Sequence, residues 1–148
     1  MTSIKTEDFA QTERLGELLA KKINGNRVFA LFGEMGSGKT ALTRGIVRGM
    51  GINADVTSPT FALINEYHGA GKTVYHFDMF RISSPDDLYS TGYYDYLDSG
   101  KTLVIEWSEN IVSELPDDCV KIKIFKNQNP NDRIFEITGC EDLEITLD

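Results

Sequence analysis

Cysteine is scarce in this chain. Cys119 and Cys140 are the only two; neither has metal-ligand spacing or a nearby histidine, which excludes a disulfide scaffold or a zinc module. A chain of 148 residues buries roughly two-thirds of its unfolded surface and needs no such staple. The expectation is two free thiols in a reducing cytoplasm. Long apolar runs are absent too. None approaches the roughly 18 residues of a membrane span, and Met1 to Phe9 is too polar and acidic to read as a secretory signal. Positive charge is short: 15 Lys and Arg against 23 Asp and Glu leave a net charge of −8. An acidic surface repels a phosphate backbone, so tight autonomous RNA binding is disfavoured. No repeat, low-complexity tract or linker interrupts the chain, and its length suits one domain over residues 1–148.

Glycine, in contrast, is plentiful at 13 residues and concentrates in one stretch. Before it, Thr6 or Asp8 could cap a helix running to about Ile23, with Leu15, Leu18, Leu19 and Ile23 on one face. Asn24-Gly25-Asn26 is a stop. Val28 to Phe32 is a continuous apolar run of strand length, the pattern of a strand buried on both faces in a parallel sheet. A glycine-rich turn follows, then a helix from about Lys39 to Met50. Strands are expected over Phe61 to Tyr67, Val74 to Phe77 and Leu103 to Ile105. Ser84 and Pro85 mark a helix start, and a short helical piece covers Tyr93 to Leu97. Val120, Ile122 and Ile124 alternate with lysines, and Ile134 to Ile137 follow a polar turn, which reads as a hairpin. The fold class is α/β: a mostly parallel sheet flanked by helices, with an antiparallel C-terminal β-hairpin.

The glycine-rich turn carries the chemistry. Gly33-Glu34-Met35-Gly36-Ser37-Gly38-Lys39-Thr40 fits G-x-x-x-x-G-K-[ST] between a buried strand and a helix, with Ala41 next in the helix. Such a turn aims backbone N–H groups at phosphate oxygens, and glycines leave no Cβ in the way. The helix N-terminus adds positive partial charge. Lys39 can reach the β and γ phosphates, and the Thr40 hydroxyl can ligate Mg²⁺. The motif establishes nucleotide binding, not the reaction.

Ligands of open α/β sheets bind at the carboxyl ends of strands. Asp78 and Glu106 each end an expected strand there. Either could hold Mg²⁺, and Glu106 could instead polarise the attacking water. Trp107 is the only tryptophan; strand alternation points it away from the face that Glu106 occupies, toward core packing or toward a functional contact at the site rim or a partner surface. Arg81 reads either as an arginine finger or as half of a structural ion pair.

Taken in order, the phosphate loop, Thr57-Ser58-Pro59-Thr60-Phe61, His76-Phe77-Asp78-Met79-Phe80-Arg81 and Ile105-Glu106-Trp107 strongly resemble the bacterial TsaE (YjeE) family. The resemblance spans about residues 5–125. It implies a P-loop NTPase fold and a weak ATPase of tRNA threonylcarbamoyladenosine (t6A) biosynthesis. It also implies ATP and Mg²⁺ as ligands, and action with the TsaD–TsaB pair, which performs the modification while the ATPase resets it. Contact with tRNA is then indirect, and localisation cytoplasmic with no membrane. By the same resemblance, Lys39, Glu106 and Asp78 are the catalytic candidates. Thr40, Asp78 and Glu106 serve the metal, Thr57 to Thr60 form the switch segment near the γ-phosphate, and Trp107 joins the nucleotide-binding set. Phe80 replaces the family's usual Tyr, and Asn110 replaces an Arg common after the Glu-Trp-x-Glu run.

Two other readings compete. A small-molecule kinase needs an acceptor pocket and usually an arginine-bearing lid, and Ser83 to Gly100 holds no Arg or Lys. A nucleotide-dependent binding switch would use Thr57 to Thr60 as a γ-phosphate sensor. A GTPase is disfavoured because no Asn-Lys-x-Asp motif is present.

Overall fold

The continuous apolar runs become the middle of a sheet. The computed structural model describes residues 1–23, 25–59, 63–141 and 144–147. In chain order these form β1 (Thr2–Thr6), α1 (Phe9–Ile23), β2 (Val28–Phe32), α2 (Lys39–Gly49), β3 (Ile64–Gly69), β4 (Lys72–Asp78), α3 (Pro85–Ser90), α4 (Tyr93–Asp98) and β5 (Thr102–Glu106). A 3-10 helix over Ser108–Glu114, β6 (Val120–Lys126) and β7 (Arg133–Thr138) follow. The seven strands make one sheet in the order β1-β7-β6-β2-β5-β4-β3. The three central junctions, β6–β2, β2–β5 and β5–β4, are parallel. Both edges are antiparallel: β3 pairs with β4, β7 with β6, and β1 with β7.

Alternation along the strands separates two cores. Val104 faces α1 and α2 together with Phe29, Leu31, Leu42 and Ile46. Its neighbours Leu103 and Ile105 face the opposite way, against Phe77, Leu88, Tyr93 and Ile111. All of β5 is therefore buried, which is why Leu103 to Ile105 is unbroken by polar residues. Because β2, β4 and β5 run parallel, their carboxyl ends meet at one edge of the sheet. Asp78 and Glu106 are direct register partners there.

Several local signals behave as read. Ser84 caps α3 by accepting from the Asp87 amide, with Pro85 at the first helical position. Asp8, not Thr6, caps α1: its carboxylate accepts from the Gln11 amide at 2.8 Å. Thr6 instead hydrogen-bonds Thr12 at 2.8 Å. Three features differ from the sequence reading. Thr2 to Thr6 forms an edge strand, whose one strand partner is β7. The strand expected from Phe61 starts at Ile64, with 61–62 outside the described residues. It returns immediately into β4, so the sheet gains a second antiparallel edge. The 3-10 helix after Trp107 has too weak a periodicity to be seen in the sequence.

Gly16, which lowers helix propensity, is explained by packing. Together with Gly45 and Gly49 it forms a seam where α1 and α2 approach backbone to backbone. A Cβ on Gly16 would strike the Leu42 carbonyl, one on Gly45 the Glu13 carbonyl, and one on Gly49 would lie 2.7 Å from the Glu17 carbonyl. Glu13 and Glu17 of α1 also pair with Arg48 of α2. At a free helical site Gly→Ala stabilises by up to ~1 kcal/mol. At Gly45 the sign reverses: Gly45→Ala is expected to cost about 1–3 kcal/mol through overpacking. Thermal melting checks this, and an unchanged or higher Tm would refute the seam.

Candidate functional site

The strand β2 ends at Phe32, and the chain turns over Gly33 to Gly38 into α2. Gly36 and Gly38 have φ of +78° and +107°, a left-handed region that side chains avoid. Gly38 occupies the N-cap of α2 and has no side chain to satisfy the first-turn amides, so those donors are left for a ligand. The outward side of the loop is held from below. Arg133, 5% exposed, donates through Nε to the Ser37 carbonyl at 2.9 Å and through Nη2 to the Gly36 carbonyl at 3.0 Å. Its Nη1 donates to the Pro130 and Asp132 carbonyls at 2.7 and 2.8 Å. With the carbonyls taken up by the guanidinium, the amides are free to face the other way.

Lys39 is buried and folds back on its own loop. Its ammonium donates to the Gly33 carbonyl and, at 3.3 Å, to that of Glu34. It also sits 3.8 Å from the centroid of the Trp107 ring, a cation–π contact. Burial lowers its pKa, while Glu106, Glu109, Asp78 and Glu34 oppose that shift. Glu109 further accepts from the Gly33 amide at 2.9 Å.

Asp78 and Glu106 are both buried. An Asp78 oxygen accepts from the Phe80 amide at 2.8 Å. The Glu106 carboxylate bonds His76 Nε2, and its backbone carbonyl accepts from Met79 N at 3.0 Å. Trp107 corrects the alternation argument. Its φ of +58° places it in the left-handed region, so β5 ends at Glu106 and the period-two rule stops there. The indole turns back over Lys39 rather than away from Glu106. Its ring packs 5.0 Å from Phe80, tilted by 53°, a contact that needs no tyrosine hydroxyl. Asn110 donates to the Met79 and Phe80 carbonyls at 2.8 and 3.2 Å, tying the loop after β4 to the 3-10 helix.

The cavity at this edge measures about 360 Å³. Met35, Gly36, Ser37, Gly38, Lys39, Thr40, Ala41, Asp78, Glu106 and Trp107 line it, together with Phe9, Arg44 and Ser58. Of the residues singled out in the sequence, Gly33 and Glu34 do not line it; they wall a neighbouring groove with Glu109 and the lysines of β6. Thr60 lies outside the described residues. Arg81 is exposed and is not part of the cavity wall. The sequence reading gave Arg133, Glu109 and His76 no role in the site. For Arg133 a signal existed: it shares the inward positions of β7 with Phe135 and Ile137, where a charge demands partners.

The donor set suits a polyphosphate carrying a divalent ion. Left-handed glycines open the loop, the Ser37 hydroxyl is buried without a partner among the described residues, and one lysine faces two carboxylates. Among the described residues no three His, Cys, Asp or Glu side chains converge. The pair of carboxylates, Asp78 and Glu106, fits Mg²⁺, which is bound through one or two carboxylates plus substrate phosphates.

Comparison with known proteins settles the family. The sequence model described as "Threonylcarbamoyl adenosine biosynthesis protein TsaE" matches residues 6–135. The chain belongs to the TsaE family. The tRNA threonylcarbamoyladenosine biosynthesis protein TsaE of Haemophilus influenzae is 38% identical over 113 residues, covering 76% of this chain and 72% of that protein. The namesake of Treponema pallidum is 36% identical over 113 residues, covering 76% and 83%. The crystal structure of Bacillus subtilis YdiB superposes with a TM-score of 0.70 at 27% identity, over 90% of this chain and 82% of that one. TsaE-family membership places the chain among proteins of t6A biosynthesis with a P-loop-like, nucleotide-binding fold. Among the described residues no helix is long and apolar enough to cross a membrane.

Proposed function

We propose that the chain, acting as a single P-loop domain, hydrolyses ATP with Mg²⁺ and that this reaction resets a TsaD–TsaB complex carrying out t6A modification. The observation that supports it most is the convergence of Lys39, Asp78 and Glu106 on one cavity beside the loop. Transfer of a γ-phosphoryl group to water depends on positioning and electrostatics. The loop amides and Lys39 bind and orient the phosphates. To take up a phosphate, the Lys39 ammonium leaves the Gly33 and Glu34 carbonyls. Thr40 and one or both acids hold Mg²⁺, which when bound would neutralise charge on the β and γ phosphates. Glu106 orients the attacking water, and Trp107 shields the lysine from bulk solvent. The net charge of −8 supports leaving tRNA contact to the partners.

The test is steady-state ATP turnover with Mg²⁺ while the partner pair is titrated in. Saturable stimulation is expected. Glu106→Ala is expected to lower the stimulated rate by about 100-fold or more, with ATP affinity little changed. A rate that stays flat and near zero despite ATP binding would overturn the ATPase reading in favour of a binding switch.

A further inference from the structure

Glu106 is held by side chains that the hydrolysis reading leaves unused. His76 lies on β4 opposite Val104 of β5, on the sheet face that packs α1 and α2. It is completely buried. Its Nε2 bonds Glu106, and its Nδ1 lies 3.2 Å from the Tyr67 hydroxyl. That hydroxyl is also 3.2 Å from the Thr57 carbonyl. Asn65 donates to the same carbonyl at 3.1 Å and to the Tyr67 hydroxyl at 3.4 Å. The chain of contacts thus runs from the acid at the end of β5 to the segment beside the cavity, where Ser58 is part of the wall.

Proton counting shows what this chain of contacts can do. A carboxylate only accepts, so the Nε2 that faces Glu106 carries a proton. The Tyr67 hydroxyl owns one proton and lies 3.2 Å from both the Thr57 carbonyl and His76 Nδ1. Burial raises the Tyr67 pKa, so the phenol keeps that proton. We propose that His76 is a positioning residue for Glu106, and that Tyr67, whose hydroxyl is coupled to both His76 Nδ1 and the Thr57 carbonyl, braces the ring against the Thr57 segment. This inference rests on the role given to Glu106 above.

Three variants and one spectrum test it. His76→Leu and Tyr67→Phe are expected to lower kcat by about 10–100-fold, the usual cost of losing a group that orients a ligating or catalytic carboxylate, with KM for ATP unchanged. His76→Gln, whose amide can still donate to Glu106, is expected to recover part of the loss. In nucleotide-free protein, ¹⁵N-histidine NMR should show one of the two histidines with an Nε2 proton shifted downfield and protected from exchange. Tyr67→Phe should change the Nδ1 shift of the same ring. An unchanged kcat in folded Tyr67→Phe and His76→Leu proteins, or a rapidly exchanging Nε2 proton, would overturn the proposal. If the native protein binds ATP without turnover while the ring proton is protected and responds to Tyr67→Phe, the coupling stands and the hydrolysis reading falls.

Discussion

Lys39→Ala should abolish measurable ATP turnover, a loss on the order of 1,000-fold in kcat, comparable to removing a transition-state charge clamp. The reason is more than the loss of one cation. Glu106, Glu109, Asp78 and Glu34 all bear on the ammonium. Without it the cavity presents two carboxylates, Asp78 and Glu106, to a polyanion, with Glu34 and Glu109 in the next groove. Weaker ATP binding is therefore expected together with lost turnover. Stability should move in the other direction or not at all, because burial already disfavours the charge, as its lowered pKa records. Turnover and a melting curve on the same preparation check both halves. Normal turnover in a folded Lys39→Ala protein would remove the site assignment altogether.

Arg133→Met is expected to weaken ATP binding about 100-fold, in line with a displacement of about 1 Å in a positioning element, although Arg133 lies beneath the loop and does not line the cavity. Four carbonyls, on Gly36, Ser37, Pro130 and Asp132, accept from this one guanidinium. Losing it leaves those oxygens to compete for the amides that should face the ligand. A stability loss of about 2–4 kcal/mol accompanies it, since each buried acceptor left unsatisfied costs roughly 1–3 kcal/mol and the exposed ones regain water. Arg133→Lys should fail nearly as badly, because an ammonium cannot reproduce the planar fork. Titration of ATP against each variant, with urea unfolding alongside, reads both quantities. Native affinity in Arg133→Lys would show that charge alone suffices.

What the sequence made legible follows from how local each feature is. The strands β2 and β5 announce themselves because burial on both faces leaves an unbroken apolar run, as in Val28 to Phe32 and Leu103 to Ile105. The phosphate loop is legible because its glycines, Lys39 and Thr40 are contiguous. The pairing of Asp78 with Glu106 could be anticipated from their places at strand ends, though not their shared register. Long-range relations stayed hidden. Glu109 meets Gly33 across 76 positions of sequence, and His76 meets Glu106 across 30; no periodicity encodes either. Trp107 misled because the alternation rule holds only while the strand continues. A left-handed backbone at a non-glycine residue is set by its surroundings rather than by its own propensity.

The latch beneath the phosphate loop also has a consequence in time. Arg133 reaches Ser37 across 96 residues and Gly36 across 97, and the first strand of the sheet finds its partner in the last. A ribosome emitting this polypeptide releases the nucleotide motif well before the residue that braces it. Until the C-terminal hairpin emerges, the loop lacks the support that turns its carbonyls outward, and the opening strand has nothing to pair with. Nascent chains therefore stay incompetent for nucleotide until the β6–β7 hairpin has emerged, and assembly is governed by contacts of high sequence separation, which form slowly. The same arrangement makes the site sensitive to loss of the β6–β7 hairpin. Such a loss would remove no residue of the cavity wall and would still disarm the site.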